Sequence, residues 1–152
     1  MPHCLRNLKK GGRVLSSPVS MSPSPVPAST LQPPTPSCVV LVEDDDLLRF
    51  LMSELMDDLG YAFVEFNNAD DALLHVMQHA SSVGLVVTDK NMPGQIDGGE
   101  LCLLLHARWP SLPVILTSGR QLNALDFPGV ELLPKPWSLE RLAASVRQAL
   151  SH

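Results

Sequence analysis

Apolar positions change their spacing near residue 38. Beyond it, stretches where apolar residues run consecutively alternate with stretches where they recur every three or four positions. "CVVLV" (38–42), "YAFVEF" (61–66), "GLVVT" (84–88), "PVILT" (113–117) and "VELL" (130–133) are short β-branched or aliphatic runs of strand type. Residues 46–59 carry apolar side chains at 47, 48, 51, 52, 55, 56 and 59, the spacing of an amphipathic helix, and Gly60 stops it. Residues 69–80 repeat that spacing at 69, 72, 73, 76 and 77 behind Asn68 as a cap. Residues 98–108 predict a third helix stopped by Pro110, and 138–150 a last one capped by Ser138. Between the last two strands, residues 119–128, "GRQLNALDFP", have room for about two helical turns at the α-helical rise. The fourth helix is therefore expected to be short or irregular.

Strands alternating with helices predict parallel βαβ units. Continuously apolar strands predict a sheet covered on both faces. The expected fold class is α/β, a doubly wound five-stranded parallel sheet.

Composition sets the limits of that domain. Residues 16–37 are mostly Ser, Pro, Thr and Ala, and eight of the 14 prolines precede Cys38, which forbids helix and breaks strand ladders. Residues 1–36 read as a disordered Pro/Ser-rich extension with local polyproline character, an inert tail in preference to a docking ligand. The foldable domain is 37–152. Net charge is −5 and 45% of residues are apolar, a soluble profile without the basic excess that nucleic acid would demand. No apolar run approaches the 18–20 residues or so that span a bilayer. Basic residues at the N-terminus are followed by no apolar stretch, so a secretory signal is not expected. Three scattered cysteines make neither a disulfide framework nor a zinc site, and the cytoplasm is the expected location.

In an open α/β sheet, ligands bind beyond the carboxyl ends of the strands. Glu43, Asp44, Asp45 and Asp46 follow the first strand, Asp89 the third, Thr117 and Ser118 the fourth, and Lys135 the fifth. Acidic groups gathered on one rim raise one another's pKa unless a cation sits among them, and an all-oxygen set suits Mg²⁺. A metal held by Asp44, Asp89 and a carbonyl near Asn91 would bring phosphate oxygens to the Asp89 carboxylate, a possible nucleophile. Lys135 and Ser118 would compensate charge on the other phosphoryl oxygens. Singly, each residue has a plainer account: an acidic helix start, a surface lysine, a turn serine. Their joint placement after strands one, three, four and five is what points to a site.

"VVLVEDD" (39–45), "LVVTDKNMPG" (85–94), "PVILTSG" (113–119) and "LPKPW" (133–137), in this order, resemble the receiver domain of bacterial two-component response regulators. The resemblance covers residue 38 to about 150 and implies a flavodoxin-like three-layer sandwich. It implies Glu43 and Asp44 as the acidic pair, Asp89 as phosphoacceptor, and the Asn91 main-chain carbonyl as a fourth ligand to Mg²⁺ beside Glu43, Asp44 and Asp89. Ser118 matches the switch hydroxyl, Lys135 the lysine of the family pattern, and Pro136 a proline that typically follows a cis peptide. The implied partners are a sensor histidine kinase or histidine phosphotransfer protein and an unidentified downstream protein, with no direct nucleic-acid or membrane partner. The implied chemistry is self-phosphorylation and dephosphorylation, not turnover of external substrates. The chain ends just after its last helix with no effector module following, so a stand-alone receiver is expected.

Three departures stand out. The first acid is Glu43 where Asp is commoner. "GQIDGG" (94–99) is about one residue longer than the tightest family version, which should be harmless in a loop. Leu132 occupies the place of an aromatic switch residue, so the output face should behave differently. Two other classes compete. A haloacid-dehalogenase-type phosphatase also uses a strand-end Asp, but it usually places a second Asp two residues later, where this chain has Asn91. A receiver-like interaction module acting without phosphorylation is the other.

Overall fold

The computed structural model describes residues 37–151. The expected disordered extension, residues 1–36, lies outside them. Five parallel strands, β1 (Cys38–Val42), β2 (Ala62–Phe66), β3 (Val83–Asp89), β4 (Val114–Ser118) and β5 (Glu131–Pro134), form one sheet in the order β2-β1-β3-β4-β5. Four α-helices connect and cover them: α1 (Asp46–Leu59), α2 (Ala69–His79), α3 (Gly98–Arg108) and α4 (Leu139–Leu150). None of the described helices is long and apolar enough to cross a membrane.

The continuous apolar strands have the predicted cause. In β1, Val40 and Val42 face a core with Ala72 and Val76 of α2 and Leu101 and Leu105 of α3, while Val39 and Leu41 face one with Met52 and Met56 of α1 and Leu142 and Val146 of α4. Successive side chains point to opposite faces, so a strand buried on both sides must be apolar at every position. Each large aliphatic side chain fully buried this way stabilises the fold by about 1.5–3 kcal/mol.

The helix ends are set locally. Asp45 caps α1 by accepting the Leu48 N–H at 3.0 Å, and Gly60 ends it at φ 82°, a conformation that costs glycine little. Asn68 and Ser138 cap α2 and α4 as expected. Asp97 and Glu100 form a capping box at the start of α3.

The segment between β4 and β5 holds a single 3-10 turn, Ala124–Asp126, in place of a helix. Asn123 accepts the Leu125 N–H at 3.0 Å, and this local bond together with Pro128 leaves no room to propagate an α-helix. One sheet face is thus covered by α1 and α4, the other by α2, α3 and the β4–β5 segment, which buries Phe127. A cavity of about 390 Å³, lined by Leu116, Leu122 and Leu132 among others, opens beside β4 and β5.

Candidate functional site

Strand order reverses on either side of β1, so the crevice for a ligand lies between the carboxyl ends of β1 and β3. Register brings the acids there together. Val42 pairs with Thr88, so Glu43 and Asp89, the next residues along each strand, emerge side by side. Asp89 pairs with Thr117 on its other flank, and the Lys90 N–H donates to the Thr117 carbonyl at 2.8 Å. Ser118 pairs with Pro134, and the Lys135 N–H donates to the Ser118 carbonyl at 2.8 Å. Four strand ends are locked into one rim by backbone bonds before any side chain is considered.

Carboxylate oxygens of Glu43, Asp44 and Asp89 lie within 4.8 Å of one another. The Lys135 ammonium reaches into the group, 3.0 Å from Asp89 Oδ1 and 3.4 Å from Glu43 Oε1. Glu43 and Asp89 are buried and Asp44 is exposed, so the cluster opens to water on one side. The Lys135–Pro136 peptide is cis, matching the sequence expectation.

The charges of this group are out of balance. Burial pushes the Glu43 carboxyl above its usual range, the Asp45 N–H bonded to it pulls the other way, and the Asp89 charge pushes it further up. For Lys135, burial works against the ammonium, but its hydrogen bond to Asp89 and the nearby Glu43 charge outweigh it and hold the pKa above the usual lysine value. Three carboxylates face one ammonium, and a second cation would relieve the excess. Hard oxygen donors with one side open to water fit a small divalent ion that keeps part of its hydration shell.

Ser118 ends β4 fully buried, and its Oγ accepts the Arg120 N–H at 3.0 Å, which leaves its own proton free to donate. It shares with Lys135 the wall of the 390 Å³ cavity and with Asn91 the wall of a neighbouring one of about 340 Å³. Asn91 is exposed at the start of the loop after Asp89. The structure thus brings Glu43, Asp44, Asp89 and Lys135 into one cluster, with Ser118 and Asn91 lining the space next to it.

Two supports of the site went unnoticed in the sequence. Arg49, one turn into α1, donates from Nη1 to the Glu43 carbonyl at 2.8 Å, pairs with Asp46 at 2.7 Å and faces Glu65 at 3.4 Å. It ties the acidic turn to β2. Asp70, in the first turn of α2, accepts N–H bonds from Gln95 at 2.9 Å and Ile96 at 3.2 Å. The Arg49–Asp46 spacing of three was a legible signal on a helix. Nothing local marks Asp70.

Residues 39–147 match the family described as the response regulator receiver domain. The chain is similar to the response regulator protein FleR of Pseudomonas aeruginosa, 37% identical over 68% of this chain and 22% of that protein. It is also similar to the C4-dicarboxylate transport transcriptional regulatory protein DctD of Rhizobium meliloti, 32% identical over 73% of this chain and 25% of that protein. The chain therefore spans about a quarter or less of these two relatives. Among solved structures, the receiver domain of the hybrid histidine kinase CckA superposes with a TM-score of 0.65 at 31% identity, covering 76% of this chain and all of that one.

Proposed function

Because this chain belongs to the response regulator receiver domain family, we propose that it carries a phosphorelay signal by accepting a phosphoryl group on Asp89. The observation that carries the reading is the Lys135 ammonium 3.0 Å from Asp89 within the cluster of Glu43, Asp44 and Asp89. A carboxylate oxygen of Asp89 attacks phosphorus of a phosphohistidine on a sensor kinase or phosphotransfer protein. The phosphorus–nitrogen bond breaks, its electron pair leaves with the imidazole, and the aspartyl phosphate is formed. Lys135 transfers its ion pair from Asp89 to a phosphoryl oxygen, and the Ser118 proton is available to another. Glu43, Asp44, Asp89 and the Asn91 carbonyl would hold Mg²⁺, which would supply positive charge to offset the negative charge building up on the phosphoryl oxygens. Hydrolysis at the same centre resets the state, so the chemistry is confined to the protein's own aspartate.

The partners follow from the surroundings. Leu47, Phe50 and Leu51 are exposed on α1 just after the acidic turn, an apolar patch suited to the protein that presents the phosphohistidine. Ser118 and Lys135 line the cavity floored by Leu116 and Leu132, so a phosphoryl group bound to them biases the β4–β5 side, where a downstream protein reads the state. A cytoplasmic location belongs to this reading.

Incubation with acetyl phosphate and Mg²⁺, followed by intact-mass measurement, tests it. The protein should gain one phosphoryl group, with no gain in EDTA or in Asp89→Asn. Equal gain by Asp89→Asn would remove Asp89 from the role. Leu132 in the aromatic position favours a second reading, an interaction module that works unphosphorylated. A partner bound equally by the wild type and by Asp89→Asn, with or without acetyl phosphate, would establish it.

A further inference from the structure

The loop from Asn91 to Asp97, which the family resemblance reads as about one residue longer than the tightest version over 94–99, is held at both ends and in the middle. At its ends, the Gly98 N–H donates to the Lys90 carbonyl at 2.8 Å and Lys90 pairs with Asp97 at 3.3 Å. Met92 is buried in the core under α2 and α3. The stretch in between, Pro93 to Ile96, is met by the Asp70 carboxylate from α2, one oxygen accepting from Gln95 and the other from Ile96. Gly94 makes this approach possible. Its φ is 129°, and a Cβ there would collide with the Asp70 carboxylate. Two successive N–H groups turned toward one carboxylate form a small anion-binding concavity, here filled from within the protein.

We propose that Asp70 is a positioning residue for Mg²⁺, acting through the lengthened loop on the Asn91 carbonyl. The proposal rests on the phosphoacceptor reading above. An extra residue in a loop costs little closure entropy, but it adds backbone groups that must find partners. Asp70 takes two of them, and it thereby holds the chain four and five residues beyond Asn91 in one arrangement. With the carboxylate removed, only the packing of Ile96 against the core still tethers the stretch between Met92 and Asp97 by a side chain, and Asn91 samples orientations in which its carbonyl points away from the acids. Asp71, beside Asp70 in the same turn, is engaged instead with Asn68, so the helix start keeps its own cap without Asp70. Residues behind the direct ligands typically change metal affinity by about 10–100-fold when lost.

The full chain, Asp70→Ala and Asp70→Asn are compared by amide hydrogen exchange without metal and by calorimetric titration with Mg²⁺. In Asp70→Ala, exchange at Gln95 and Ile96 should speed up about tenfold or more while the α2 amides stay protected, and Mg²⁺ should bind about tenfold more weakly. Asp70→Asn keeps one acceptor oxygen and should lose about threefold, which preserves the test if the alanine variant folds poorly. Acetyl phosphate labelling of both variants should slow at limiting Mg²⁺ and recover as Mg²⁺ saturates. Unchanged Mg²⁺ affinity in folded Asp70→Ala, or unchanged exchange at Gln95 and Ile96, overturns the proposal. Failure of the wild type itself to bind Mg²⁺ sinks the phosphoacceptor reading instead, and the two failures are told apart by that one measurement.

Discussion

The two halves of the sheet are built to different standards. Around β1 and β3 nearly every polar group near the acids has a defined partner. Glu43 is bonded by Asp45 and Lys135, the acidic turn is tied by Arg49, and the loop after Asp89 is tied by Asp70 and Lys90. Around β4 and β5 a 3-10 turn stands in for a helix, Leu125 is 85% exposed, and Leu132 borders an open cavity. Ser118 and Lys135 belong to both halves. A centre that must hold several charges at fixed separations needs a frame with few alternatives, whereas a face that must respond needs alternatives close in energy. On the proposed reading, the division lets a phosphoryl group on Asp89 be held rigidly on one side and felt as a shift on the other.

The contrast is tested hardest by cavities. Leu101 of α3 is fully buried in the core cluster that holds Val40 and Val42 of β1 and Val86 of β3, and Leu101→Ala should cost about 3–4 kcal/mol, as expected for a well-packed leucine. Leu132→Ala at the open edge should cost about 1 kcal/mol or less, since the side chain is half-buried and leaves no enclosed void. Urea denaturation of both variants provides the numbers, and equal losses would erase the distinction between the halves.

Next in size is the cation shared by both. Lys135→Met leaves Glu43 and Asp89 buried together without a positive charge. Loss of one partner of a buried pair costs about 3–5 kcal/mol, and because the Lys135 side chain keeps a quarter of its exposure the expected loss is nearer 2 kcal/mol in EDTA. Mg²⁺ should restore part of that loss by supplying the missing charge, so the melting temperatures of wild type and variant should lie closer together in Mg²⁺ than in EDTA. Labelling by acetyl phosphate should fall by about two orders of magnitude, in line with removal of a charge-stabilising donor.

These experiments address residues whose placement was largely legible in the sequence. Strand ends are marked by where apolar runs stop, and a parallel sheet puts the carboxyl end of every strand on one rim, so Glu43, Asp44, Asp89, Ser118 and Lys135 could be assembled by counting. Observed boundaries differ from the expected ones by about one residue, as with β3 at Val83–Asp89 and α4 at Leu139–Leu150. The brevity of residues 119–128 likewise predicted a short or irregular fourth helix, and the structure reduces it to one 3-10 turn. Asp70 was not legible, because its contact spans 25 positions and depends on the angle at which α2 sits over the loop. The loop over 94–99, expected to be about one residue longer than the tightest family version and harmless, hid its tether for the same reason, since length is visible in a sequence and tethering is not. Arg49 was half legible: its pairing with Asp46 follows helical spacing, while its bond to the Glu43 carbonyl depends on how the chain turns into α1.

A smaller effect probes how closed the packed half is. Cys102 is a free thiol on the buried face of α3, and burial, followed by the nearby Asp97 charge, pushes it up to about 12. Its folded pKa lies above the unfolded one, so its contribution to stability is intact below pH 9 or so and is lost as pH rises toward 12. At pH 10 the loss should be about 1.5 kcal/mol. Denaturation at pH 8 and pH 10, with Cys102→Ala as the reference, isolates it: the variant should lose that much less on going to pH 10. Native Cys102 should also resist iodoacetamide at pH 8, where an ordinary thiol reacts. Rapid alkylation would mean that α3 opens readily and that the packed half is looser than its burial implies.

The smallest expected effect is the most telling for the open half. Leu132→Tyr restores an aromatic ring at the position where the family resemblance places one. In a filled core, extra volume of this kind costs about 1–3 kcal/mol through forced rotamers. Here about 390 Å³ of open space adjoins the side chain, and its mouth gives the hydroxyl access to water, so stability should change by no more than about 0.5 kcal/mol. Asp89 labelling should change by no more than about threefold, because Leu132 touches none of the acids and meets the site only through the cavity it shares with Ser118 and Lys135. A destabilisation of 2 kcal/mol or more would show that β4 and β5 are as tightly constrained as β1 and β3. The space beside Ser118 and Lys135 would then be too costly to reshape by the charge of one phosphoryl group.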